Sequence, residues 1–333
     1  MSHTSLTLGA ALLLRCCSHD PDDHCPRDGG PPDAAVSCPA SLTWQVEPSG
    51  TTADLSGVWG ASDGDVYAVG SGGTVVHLAG GVWSPAASGV TDDLHAVWGS
   101  SASDVYAVGV NRAVLRTVDH GVTWTVRHNG GALGLSVFGA GPNDVYIADQ
   151  NAILFSSDSG ATWTSHSPQT PPPIPRPLTA DSIWAESATN VFAGGDLNNR
   201  KIVTRSANQF ADFTWAETTG NPSGVLDLWG SGPGDLWAVG APSEVARSDD
   251  EGATFTDVTP PASMHGMVAV WGSGPNDVYV ADVTPALYHS TDRGATWTTV
   301  SLPTTSAIRD IWGADCRHVY LVGPGGVIVH GHP

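Results

Sequence analysis

The chain has 333 residues, enough for one large or two ordinary domains, and its 40 Gly and 24 Pro exclude a mainly helical protein. Thirty-three acids against 13 Lys plus Arg give a formal charge of −20, with Lys201 the sole lysine. With no basic patch to displace phosphate counterions, nucleic acid and anionic lipid are excluded as partners. Thirteen Trp among few charged residues point instead to many short, well-packed strands and turns.

The N-terminus reads as an export segment. "LTLGAALLL" (Leu6 to Leu14) is too short to span a bilayer and suits the apolar stretch of a signal peptide. Cys16 and Cys17 follow, which resembles a bacterial lipoprotein signal with Cys16 lipidated; Arg15 stands where that signal has a small residue, and an ordinary signal peptide is the alternative. Residues 1–17 are assigned to this segment. Residues 18–40, rich in Pro, Gly and Asp, are expected to be a disordered tether. The expected location is the periplasm, the outer surface or the extracellular space.

From residue 41 to 333 the chain repeats itself. The phrase V-W-G-x4-D-V-Y-A-V-G recurs seven times, anchored by Trp59, Trp98, Phe138, Trp184, Trp229, Trp271 and Trp312, at spacings of 39, 40, 46, 45, 42 and 41 residues. Each unit holds four strand-like runs rich in Val, Trp, Tyr and Thr, separated by Gly, Ser, Asp and Asn turns. Four antiparallel strands in such a period is the size of a propeller blade, and a blade apolar on both faces needs neighbours to cover it. An all-β, seven-bladed β-propeller follows, with the "VWG" strand innermost and its Trp packed between blades.

The seventh unit stops one strand short, at "GVIVHGHP". The missing phrase lies at the other end, in "LTWQVEP" (Leu42 to Pro48), with Trp44 in the place of Trp297. The N-terminal strand is therefore expected to become the outermost strand of the last blade, removing an open sheet edge. Cys38 precedes that strand and Cys316 lies in the first hairpin of the seventh unit, so a Cys38–Cys316 disulfide is expected, with Cys25–Cys38 as its rival and free thiols as the third reading.

Between the third and fourth strands of several units stands S-x-D-x-G-x-T-W. Its copies are Ser156, Asp158, Gly160, Thr162 and Trp163, then Ser290, Asp292, Gly294, Thr296 and Trp297. Ser248, Asp250, Gly252 and Thr254 continue with Phe255, while Asp119, Gly121, Thr123 and Trp124 follow Thr117. The first unit ("HLAGGVW") and the fourth ("SANQFADFTW") read as degenerate. A turn carboxylate accepts backbone N–H groups, Gly two residues later supplies a positive φ, and the Trp is expected to seal the hairpin against its own blade. Repetition around a ring argues for a fastener, since a catalytic group is needed once. Only "SDDEG", with Asp249, Asp250 and Glu251, offers several oxygen donors for Ca²⁺, and no metal or cofactor is expected.

This spacing resembles the Asp-box, or BNR repeat, of sialidase-like propellers, and the "VWGSxxxDVYAVG" phrase is similar to that of secreted photosystem-II-stability-factor-like repeat proteins. The resemblance implies the propeller fold; its members include sialidases, xyloglucan-cleaving hydrolases, assembly factors and receptors, so it does not fix one activity. The sialidase arginine triad is missing, because the inner strands carry only Arg309 and "PIPRP" (173–177) is a loop between units. Tyr67, Tyr106, Tyr146, Tyr279 and Tyr320 recur as packing residues do.

Acids that stand out from the repeat are the places to look for chemistry. His95, Asp181, Asp227, Arg309 and Asp310 lie at the entrances of the inner strands and are the candidate ligand-binding residues. Their bland reading is solvated turn residues or an ion pair of Arg309 with a neighbouring Asp. "HGHP" at the C-terminus and "SHDPDDHC" (18–25) in the tether offer weak metal sets, with solvent-exposed histidines as the ordinary expectation. A monomeric, exported module binding a protein or carbohydrate, touching membrane only through a lipid anchor, is the expected function. The alternative is a secreted glycoside hydrolase using Asp227 and Asp310, since that chemistry needs two carboxyls facing one cleft.

Overall fold

The computed structural model describes residues 38–128, 133–150, 152–167, 178–196, 201–209, 212–218, 224–232, 234–241, 244–258 and 265–333. The export segment with Cys16, most of the tether with Cys25, and the "PIPRP" loop lie outside the described residues.

Val-, Trp- and Tyr-rich runs broken by Gly and Asp turns leave one geometry open to each unit, a four-stranded antiparallel meander. Seven such sheets form. Their innermost strands are Leu55–Ser62, Leu94–Ser101, Gly134–Gly139, Thr179–Ser187, Val225–Gly232, Met267–Gly274 and Asp310–Asp315. Each innermost strand packs against the next, and the seventh packs against the first, so the sheets close into a seven-bladed β-propeller. The seventh blade takes its outermost strand, Thr43–Glu47, from the other end of the chain; it pairs antiparallel with Val327–His332, Thr43 opposite His332 and Glu47 opposite Ile328. Cys38 and Cys316 are disulfide-bonded across the same junction, spanning 278 residues of sequence.

The core is a ring of inter-blade layers. The Trp of each "VWG" strand lies over the Gly of the following blade. A Cβ added at Gly99, Gly139 or Gly313 would sit 2.5, 2.2 or 2.4 Å from the rings of Trp59, Trp98 and Trp271. The seam between blades seven and one obeys the same rule, with Trp312 2.7 Å from a Cβ at Gly60. Blade four has Ala185 at this position, and there the preceding blade presents the smaller Phe138, which packs against the cluster containing Ala185. Ring size and Cβ are thus traded within one interface.

The outer Trp residues also face neighbours. Trp124 meets Tyr67 of the preceding blade edge-on, with ring centroids 6.2 Å apart, and Trp297 meets Trp237 in the same way at 6.2 Å. This Trp reaches beyond its own hairpin: Trp163 lies against Gly160 of its own loop, and the same Trp position also fastens one blade to the one before it. Trp44 on the closing strand does so against Tyr279, and Trp83, in the unit read as degenerate, does so against Tyr320.

Candidate functional site at the channel entrance

In an up-and-down blade, the starts of strands one and three share a face with the ends of strands two and four. The S-x-D-x-G-x-T-W loops, between strands three and four, therefore lie on the opposite face from the innermost-strand entrances.

On the loop face the geometry is that of a fastener. In Ser156–Trp163 the Ser156 hydroxyl donates to Asp158 Oδ1 at 2.8 Å and accepts the Gly160 N–H at 2.8 Å. Asp158 accepts the Thr162 N–H at 2.8 Å and its hydroxyl at 2.6 Å. Asp292 repeats these bonds with Thr296 and Ser290, Asp250 with Thr254 and Ser248, and Asp119 with Thr123 and Thr117. The bonds hold two successive residues at positive φ, Ser159 at 58° and Gly160 at 75°. They also hold the Asp158 carboxyl down at about 2, chiefly through Thr162.

The fourth blade's loop keeps this wiring in other residues. Asn208 accepts from Ser206 Oγ at 3.1 Å and from the Asp212 N–H at 2.8 Å, with Gln209 at φ 61°. The reading of this unit as degenerate is thereby corrected. Two of the three acids of "SDDEG" are engaged by arginines, Asp249 by Arg247 and Arg293 and Glu251 by Arg205, while Asp250 is held by Ser248 and Thr254.

On the opposite face the five candidate residues fall into two layers. Asp227 and Asp310 occupy one repeated position, which the other blades fill with Gly57, Ala96, Ser136, Ser182 and Ala269. This position has a job. An innermost strand is a sheet edge, and the N–H it turns toward the preceding blade has no ladder partner. At four seams a side chain of the preceding blade accepts it, whereas Gly57, Ala96 and Ala269 offer no acceptor. The Ile183 N–H reaches Ser136 Oγ at 3.3 Å, and the Leu228 N–H reaches Ser182 Oγ at 3.0 Å. The Val270 N–H reaches Asp227 Oδ2 at 2.9 Å, and the Val58 N–H reaches Asp310 Oδ2 at 2.8 Å across the blade-seven-to-one seam. Each Asp also accepts the N–H of its own following residue at 2.8 Å, and Ser182 Oγ donates to Asp227 Oδ1 at 3.1 Å.

Both carboxyls are half-exposed toward the channel yet crowded by protein around it, and their acidities show the crowding. Burial, then the charge of Asp227, raises Asp310 to about 8 against the pull of the Val58 and Ile311 amides. Burial raises Asp227 to about 6 against the Val270 and Leu228 amides and the Ser182 hydroxyl. Of the two, Asp310 keeps its proton to the higher pH, because the charge of Asp227 adds to its burial.

The second layer is one residue earlier, where most inner strands bulge. Around the ring it reads Ser56, His95, Leu135, Asp181, Leu226, Val268 and Arg309. His95 Nδ1 donates to the Gly134 carbonyl of the next blade at 3.2 Å. Asp181 is raised to about 6 by burial and by the charge of Asp196. Arg309 is exposed, and Leu226 is 37% exposed. Leu135, Leu226 and Val268 lie on the arc of blades three to six, interrupted at blade four by Asp181, while Arg309, Ser56 and His95 form a contiguous polar arc over blades seven, one and two. Two surface hollows lie elsewhere: one lined by Arg205, Asn208, Asp212 and Phe213, the other by Pro48–Thr52 and Gly325–Val327. Neither is lined by Asp227 or Asp310.

The sequence matches no protein-family model and no curated protein. Solved structures share the fold. One titled YCF48 bound to D1 peptide is 18% identical, with a TM-score of 0.69, covering 90% of this chain and 100% of the other. YCF48 from Cyanidioschyzon merolae is 17% identical, with a TM-score of 0.72, covering 88% and 99%. Virginiamycin B lyase from Staphylococcus aureus is 12% identical, with a TM-score of 0.73, covering 88% and 99%. At these identities the likeness is one of fold.

Proposed function

We propose that this chain is an exported binding propeller that holds a polypeptide segment at the channel entrance and performs no catalysis of its own. The observation that carries this reading is the contrast between the two layers. Where blades touch one another, the Trp–Gly contact repeats or is exchanged for Phe138 with Ala185; at the entrance, seven blades present seven exposed or half-exposed residues of mixed chemistry. A surface freed from packing, with Leu135, Leu226 and Val268 among Asp181, Arg309, Ser56 and His95, suits a ligand with both kinds of side chain. The fold shared with a peptide-bound YCF48 supports the same choice, though only as a likeness. The Asp-box spacing and the apolar stretch before Cys16 support membership of the secreted BNR class, export and a lipid anchor at Cys16. A monomer suits a ring whose edges are closed by its own chain.

One feature favours the hydrolase reading: two carboxyls on the inner strands of one ring, of which Asp310 keeps its proton to the higher pH, resemble the acid and carboxylate that glycoside hydrolysis pairs. Against it, each carboxyl is already bound to amides that hold blades together. A combined peptide and polysaccharide array, scored for retention and for cleavage, separates the two. Retention of peptides without cleavage is expected. Polysaccharide cleavage abolished by Asp227→Asn or Asp310→Asn would replace the binding reading with the hydrolase.

A further inference from the structure

The seam between blades seven and one departs from the chain's own pattern. In blades one and six, the first residue of strand two is an Asp that bonds a His stacked on the strand-two Tyr: Asp65 with His77 at 2.9 Å, and Asp277 with His289 at 2.6 Å. Blades two and five use Asp with Arg, and blade four uses Asn190 with Arg205. Blade seven keeps the stacked His330 over Tyr320, but places His318 where the others have Asp or Asn. The carboxylate arrives instead from the closing strand, as Glu47, whose Oε1 accepts from His330 Nδ1 at 2.8 Å. Burial pushes Glu47 up, yet hydrogen bonds from His330 and Trp83 and the charges of His330 and His332 hold it below the usual carboxylate range.

Two imidazole nitrogens then point at each other, His318 Nδ1 and His330 Nε2, 3.3 Å apart. Nitrogens bound to zinc at about 2.0–2.1 Å in a tetrahedron stand about 3.3–3.4 Å apart. Each ring has a carboxylate behind its far nitrogen, Glu47 for His330 and Asp63, at 3.7 Å, for His318. For His330 this hydrogen bond is the outer-shell arrangement which fixes the tautomer of metal-bound histidine, while Asp63 stands beyond hydrogen-bond distance of His318. His332 stands beside them, 5.3 Å from His330 ring to ring, and its Nε2 is buried without a hydrogen-bond partner. The histidines of "HGHP" are thus not free tail residues, since His330 and His332 belong to the last strand.

We propose that His318 and His330, joined by His332, bind a zinc-class divalent ion across strands two and three of blade seven, tied to the closing strand through Glu47. Imidazole donors suit such an ion. Among the described residues no three donors are already placed to coordinate, so His332 turns inward as the ion enters, and water completes the tetrahedron. The ion takes the place of the proton between the two rings; that proton passes to His318 Nε2, on the side of Asp63.

Tag-free protein stripped with EDTA and titrated with Zn²⁺ by calorimetry tests the site. One ion is expected, with a higher melting temperature when it is bound. His318→Asn copies Asn190 of blade four and is expected to lower Zn²⁺ affinity at least about tenfold, cancel the thermal shift, and leave the metal-free melting temperature unchanged. His332→Asn is expected to weaken binding as well, and decides the matter alone should His318→Asn melt early without metal. Zn²⁺ affinity undiminished in His332→Asn, or equal in the wild type and a stably folded His318→Asn, would overturn the proposal.

Discussion

Replacing Asp310 by Asn probes the inner ring directly. A carboxyl whose folded-state acidity is weakened binds its proton more tightly in the folded chain, so protonation favours folding. Its contribution is full below about pH 4 and is lost as pH rises through about 8. Moving a carboxyl from 3.8 to about 8 is worth about 6 kcal/mol taken whole, at about 1.4 kcal/mol per tenfold change in proton affinity. Channel water reaches the half-exposed side chain and screens it, leaving about 1–3 kcal/mol as the expected share. Asn keeps one acceptor for the Val58 or Ile311 amide and loses the other, a cost of about 1 kcal/mol that does not depend on pH. Urea unfolding at pH 5 and pH 9 should therefore show wild-type stability falling with pH more steeply than that of Asp310→Asn, by about 1–3 kcal/mol over the interval. Equal pH slopes in the two proteins would refute the burial and coupling assigned to this carboxyl.

Other consequences concern the scaffold. Gly139→Ala forces a methyl against Trp98 and should cost about 1–3 kcal/mol in urea unfolding, and adding Trp98→Phe, which copies the Phe138–Ala185 pair, should recover at least about half of it. Cys38→Ser should lower stability by about 2–5 kcal/mol, with reductant no longer affecting the melt, because the disulfide closes nearly the whole ring. Asn208→Ala removes the acceptor of the Asp212 amide and should lower stability by about 1 kcal/mol, whereas a loop already degenerate would show no change.

The ring was legible because its packing is periodic. A Trp every 39 to 46 residues, a Gly two along from the strand's Val, and one orphan "LTWQVEP" were enough to place the blades and their closure. Periodicity does not say which neighbour a side chain meets. The sequence places Trp124 and Trp297 at their own hairpins but does not show that the strand-two ring of the preceding blade meets them. Matching by residue identity hid equivalents. Asn208 and Asp212 do in blade four what Asp and Thr do elsewhere, exchanging donor and acceptor across the same turn. Asp227 and Asp310 looked solitary because Ser136 and Ser182, which accept the same inter-blade amide, carry no charge. His318 was passed over because its meaning depends on Glu47, which lies 271 residues away in sequence and beside His330 in space.

Selection of displayed random peptides on the immobilised propeller, followed by affinity measurement on variants, tests the binding account most directly. Arg309→Ala and Leu226→Ala, on the entrance face, are expected to weaken the selected peptides at least about tenfold, as loss of a central contact does. Asp292→Ala, on the opposite face, is expected to leave their affinity unchanged. Peptides that ignore both entrance substitutions and lose affinity with Asp292→Ala would place the binding surface on the loop face and contradict the account.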